Sequence, residues 1–173
     1  DAMLFSEDYR SAERTFQLVT QAAGRAGRGG KPGRVIIQAY NIDNYAVQAA
    51  MKQDFRTFFS EEINIRRQLF QPPFTHIGMV MVSSSSNTRG WELINRLHRM
   101  IEDKYGNYEH MMISKPLRAP VFVIRNRMRW RIIIKHPSIN LMLQIMRDVT
   151  DMTDRMRLRE THVSVDIDPV NML

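Results

Sequence analysis

The 173-residue sequence contains no cysteine, which excludes a disulfide framework, a zinc ribbon and a thiol nucleophile together. It contains no apolar run as long as the roughly 18 residues a membrane-spanning helix needs. The first residues, DAMLFSEDYR, are acidic and polar, unlike a secretory signal. Histidine is scarce, and His76, His98, His110, His136 and His162 stand at no metal-ligand spacing from one another. There is no internal repeat. Paired acids such as Glu61 and Glu62 are adjacent on a helix and do not face each other, so no acid/base pair is expected there. Acidic charge is also in short supply: 18 Asp and Glu face 25 Lys and Arg, for a net charge of +7. Such an excess favours an anionic partner, most commonly nucleic acid. It is uneven, with 10 basic and 8 acidic residues over 1–75 and 15 and 10 over 76–173.

What is present is the composition of a chain that can bury a core, 43% apolar and 25% charged. Ala12, Phe16, Val19 and Ala23 recur at helical spacing, which predicts a helix over 11–23. A turn from Gly27 to Gly33, broken by Pro32, leads into RVIIQAY, the pattern of a buried strand. One helix and one strand cannot form a layer alone and Asp1 is not an initiator Met, so the chain is expected to begin inside a domain. Residues 44–70 are helical in pattern, with Phe55, Phe58, Phe59 and Ile63 on one stripe, and Pro72-Pro73 closes the segment. Beyond it, IGMVMV (77–82), VFVIR (121–125), MRWRIIIK (128–135) and HVSVDID (162–168) read as strands. Helices over 88–104 and 138–156 carry Trp91, Ile94, Leu97 and Ile101, and Met142, Ile145, Met146, Val149 and Met152, toward a core. The order is β-α-β-β-α-β, the split β-α-β or ferredoxin-like arrangement. The fold class expected is therefore α/β followed by α+β.

The string richest in chemistry is QAAGRAGR, residues 21–28. On a continuing helix, Gln21, Arg25 and Arg28 share one face. Two guanidiniums one turn apart can clamp phosphate oxygens bidentately and keep their charge at neutral pH. Gly24 and Gly27 each cost about 1 kcal/mol against Ala in a helix interior, so close approach of a backbone or ligand is expected there. An Arg/Gly-rich solvated loop fits the same string. A phosphate-cradling P-loop does not, since Lys31 precedes Pro32 rather than Ser or Thr. A disordered RGG-type tract is disfavoured by the flanking helix and strand patterns.

QAAGRAGR matches the Q-x-x-G-R-x-G-R motif of the second RecA-like lobe of superfamily-two helicases. The surrounding FSEDYRSAERTFQLVTQAAGRAGRGGKPGRVIIQAYN, with the later QLFQPPF and DIDP, resembles the PriA family of bacterial primosomal replication-restart helicases. The resemblance implies a truncated lobe over 1–43, a helical connector over 44–75 and a C-terminal DNA-binding domain over 76–173. It implies catalytic roles for Arg28, as an arginine finger toward the γ-phosphate of ATP, and for Arg25 beside it. Gln21, Gly24 and Gly27 complete the nucleotide-facing motif. ATP and Mg would be held mainly by a first lobe this chain lacks, so the chain alone is not expected to hydrolyse ATP. Zinc is expected in the parent protein and not in these residues. The family further implies forked and single-stranded DNA, single-stranded DNA-binding protein and other primosome components as partners, in the cytoplasm.

In MRWRIIIK the side chains alternate, so Trp130, Ile132 and Ile134 are expected toward the helices. Arg127, Arg129, Arg131 and Lys135 are then expected on an open sheet face, as a track for DNA phosphates. Basic residues on a strand also blunt unwanted sheet pairing, and that reading stands beside the first. A non-enzymatic nucleic-acid-binding module or a protein-docking scaffold remains the alternative for the second half of the chain.

Overall fold

The computed structural model describes residues 8–26, 34–156, 158–170 and 172. They divide between two compact units, Asp1–Leu69 and Phe70–Leu173. The first unit is helical: α1 (Ser11–Ala26), α2 (Tyr45–Met51) and α3 (Phe55–Gln68). Its small core gathers Phe16, Ala46, Ala49, Ala50 and Phe58, with Phe16 stacked on Phe58 at 4.4 Å. A buried carboxylate ties the three helices together. Glu62 accepts from the Tyr45 hydroxyl and, at 2.6 Å, from Arg66 Nε, while Arg66 Nη2 reaches Glu13 at 2.9 Å.

The helical pattern over 44–70 is realised as two helices, because Asp54 accepts from Thr57 N at 3.0 Å and caps a new helix after Gln53 at φ 53°. Of the predicted stripe, Phe58 is buried whereas Phe55 and Phe59 are 61% and 52% exposed. The buried strand expected over 34–40 is absent: the segment has no regular secondary structure, with Ile36 80% and Tyr40 97% exposed. A strand exists only through ladder hydrogen bonds to a neighbour, and the described residues of this unit supply none.

The second unit contains β1 (His76–Ser84), α4 (Asn87–Tyr105), β2 (Met112–Ile113), β3 (Leu117–Ile124), β4 (Arg127–His136), α5 (Ile139–Arg155) and β5 (Thr161–Ile167). The sheet runs β2-β4-β1-β5, with β3 also paired to β4, and every pairing is antiparallel. The β3–β4 turn, Arg125-Asn126, has positive φ at both residues, as a two-residue hairpin of right-handed twist requires. Ser86 and Ser138 cap α4 and α5 by accepting from Arg89 N and Leu141 N. Only β2 was unforeseen, being too short to show an alternation.

The core lies between the helices and one face of the sheet, where Val80, Val82, Trp130, Ile132 and Ile134 meet Ile94, Leu97, Ile101, Met142, Ile145 and Val149. Trp130 is buried, as its alternation predicts, and meets Phe122 edge-on at 5.4 Å. Trp91 is not: it is 47% exposed, and Gly90 takes the sheet-facing position instead. A Cβ on Gly90 would lie 2.1 Å from Trp130 Cζ3, so the bulk between helix and sheet comes from the strand.

Candidate functional site

Gln21 and Arg25 lie in the last two turns of α1, one turn apart and both exposed. Among the described residues neither has a hydrogen-bond or ion-pair partner, so both heads are available to an external ligand. Arg25 also sits where a cation complements the negative end of the helix dipole. Among the described residues nothing lies within 4 Å of a Cβ built on Gly24, so none of them requires that glycine. Gly27 and Arg28, and with them the arginine-finger assignment, lie outside the described residues.

The β4 arginines share a face, as alternation requires, but the face is not the open track expected. Arg131 is only 3% exposed, and its Nη1 donates to the carbonyl of Met172. On the neighbouring strand, Ile77, Met79 and Met81 of the same face are buried as well. Arg129 is half-buried, with guanidinium nitrogens 2.9 and 3.2 Å from Met81 Sδ and one at 3.4 Å from the Val121 carbonyl. Arg127 Nη2 donates to the Glu160 carbonyl at 2.8 Å. Burial pulls the Lys135 ammonium below the usual lysine value. The alternation was right and the exposure was not. Strand periodicity says which residues share a face, whereas what covers that face is decided by segments far away in sequence, here Met172.

Unforeseen is a groove of about 800 Å³ between α4 and the α5–β5 connection. Arg89, Arg96 and Arg99 come from one wall, Arg159 from the other; Leu93, Met156 and Leu158 contribute apolar surface, and among the described residues Glu92 is the one acid in the lining. A second groove of about 470 Å³ shares Arg96 and Met156 with it and is also lined by Lys104, Asp148, Asp151 and Arg155. There Asp148 accepts from Lys104 Nζ and the Tyr105 hydroxyl, and these bonds hold its carboxyl below the usual aspartate value. A sequence signal existed: Arg89, Arg96 and Arg99 at i, i+7 and i+10 project from one side of a helix. The apolar stripe drew attention to the opposite side.

Among the described residues no cluster of three or more His, Asp or Glu side chains could hold a metal ion, and no helix is long and apolar enough to cross a membrane. Among solved structures, the C-terminal segment of the α subunit of aIF2 from Pyrococcus abyssi aligns over 92% of this chain and 95% of that one. Its TM-score is 0.36 at 12% identity, too low to argue a common fold. In sequence, the chain is 31% identical over its whole length to the replication restart protein PriA of Bacillus subtilis, of which it covers 21%. It is 34% identical to the PriA of Thermotoga maritima over 83% of this chain and 18% of that protein. It is 30% identical to that of Synechocystis over 99% and 20%. It thus spans about a fifth of the length of these relatives. The family described as the primosomal protein N C-terminal domain matches residues 67–170, more than half of the chain, and this chain belongs to that family.

Proposed function

We propose that the chain is the C-terminal part of an ATP-dependent DNA helicase that remodels stalled replication forks so that replication restarts; replication restart is what its relatives are named for. Residues 1–43 close a second RecA-like lobe, residues 44–75 are its helical connector, and residues 76–173 form a ferredoxin-like DNA-binding domain. The observation that carries the reading is the pairing of Gln21 with Arg25 on the last turns of α1, exposed and unpartnered among the described residues.

ATP and magnesium, when bound, supply the phosphoryl-transfer chemistry and are held mainly by a lobe outside this chain. The contribution of these residues is charge and position. Arg28 is the arginine finger that neutralises the transferring phosphoryl group, Arg25 contacts the same group, and Gln21 orients it. Gly24 keeps the helix end slim enough for a ligand to approach. The antiparallel sheet order, with α4 and α5 packed on one face, supports the ferredoxin-like assignment. The second unit holds the larger positive excess and binds DNA, with Arg127, Arg129, Arg131 and Lys135 adding potential from β4. Single-stranded DNA-binding protein and other primosome components are its protein partners, in the cytoplasm.

In the full-length parent, Arg28→Ala lowers kcat for DNA-stimulated ATP hydrolysis by about 10³-fold or more with a smaller change in KM, and Arg25→Ala acts in the same direction. Unchanged kcat in both variants overturns the motor assignment. The isolated chain turns over no ATP.

A further inference from the structure

We infer that the arginine groove between α4 and the α5–β5 connection is the surface on which the second unit seats the phosphodiester backbone of DNA. The inference rests on the DNA-binding reading above and gives it a place. Arg96, Arg99 and Arg159 line the groove, and among the described residues none of them has an ion-pair or hydrogen-bond partner. Arg89 has one loose contact, 3.5 Å to Glu160, with both side chains about two-thirds exposed. A contact of that kind contributes little.

Three properties point to a linear polyanion. Like charges three residues apart on a helix repel by a few tenths of a kcal/mol, and Glu92 and Asp103, one turn before Arg96 and one turn after Arg99, offset that cost without forming an ion pair with either among the described residues. Arg159 faces them from a separate segment, so the positive charge comes from two elements and is not the solvated side of one helix. Arg89 to Arg99 spans about 15 Å of helix, whereas one DNA strand presents a phosphate about every 3.4 Å of its axis, so several phosphates fit the row. Guanidiniums bind phosphate oxygens bidentately, without regard to base sequence. The neighbouring groove shares Arg96 and adds Lys104 and Arg155, beside Asp148 and Asp151. The β4 face lacks these features, since Arg131 is buried and Arg127 and Arg129 already donate within the fold.

The test is fluorescence anisotropy of the 173-residue chain on labelled oligothymidine and on duplex DNA across a salt series. Wild type runs beside Arg96→Ala/Arg99→Ala, Arg96→Lys/Arg99→Lys and Arg127→Ala/Arg129→Ala. The expected result is an approximately tenfold weakening at low salt for the α4 alanine pair. It comes with a slope shallower by roughly two on duplex and about 1.4 on single strand, the signature of two lost phosphate contacts. The lysine pair restores most of the slope, which a purely structural role would not predict. Thermal melts unchanged from wild type exclude unfolding as the cause. If wild type binds and the α4 alanine pair keeps its slope, the groove is overturned and DNA binding by the chain survives. If wild type binds neither DNA at moderate salt, the DNA-binding reading falls and the groove falls with it.

Discussion

Arg131 shows how one residue can satisfy a sequence pattern and still do a different job. It stands on β4 two residues from Arg129, where alternation makes it an equal member of a basic row. In the fold its guanidinium is enclosed and donates to the Met172 carbonyl. Truncation would strand that carbonyl and remove a charge-assisted hydrogen bond. Arg131→Ala is therefore expected to destabilise the second unit by about 2–3 kcal/mol. In a domain of this size that lowers its melting midpoint by roughly 10 °C, a shift read directly by calorimetry or far-UV circular dichroism. A midpoint unchanged from wild type would return Arg131 to the surface. QAAGRAGR behaves differently: its spacing alone put Gln21 and Arg25 one turn apart, and the helix keeps that relation because both residues are local to it.

At the scale of elements, the two long helices of the second unit are joined by Asp148. This α5 carboxylate accepts from Lys104 and from the hydroxyl of Tyr105, whose ring is fully buried at the end of α4. The two bonds lower the carboxyl below its ordinary value of 3.8, so the charged form is favoured in the folded state. Its stabilisation is complete above the unfolded value and is lost as pH falls through the lower folded value. Denaturant titrations of wild type and Asp148→Asn should differ at neutral pH and converge under acid conditions below pH about 4. A gap that persists unchanged in strong acid would mean that the carboxylate charge is not what joins the helices. The elements themselves were legible wherever a period of two or 3.6 ran for several turns or pleats, as in β1, β4, α4, α5 and β5. Where α2 gives way to α3 was not legible, because the break is set by Asp54, a residue with no apolar periodicity, which accepts from Thr57 N.

On the scale of the whole molecule the chain comprises two units with separate cores, one around Phe16 and Phe58 and one around Trp130. Residues 70–173 bring their own sheet, both covering helices and both serine caps. Expressed alone, they are expected to melt cooperatively near the midpoint of that unit in the full chain, and a non-cooperative melt would show that the first unit is needed for folding. The sequence by itself determined the basic excess, the helix bearing Gln21 and Arg25, the strand and helix order of the second unit and its family. Each of these is written in residues close together along the chain, where composition and periodicity act. Tertiary structure alone decided that 34–40 has no ladder, that Trp91 faces water while Gly90 admits Trp130, and that Arg131 is covered. It also decided that Arg159 comes to stand opposite Arg96 and Arg99. Those outcomes depend on which distant segments meet, and burial and charge convergence belong to that meeting rather than to any local pattern.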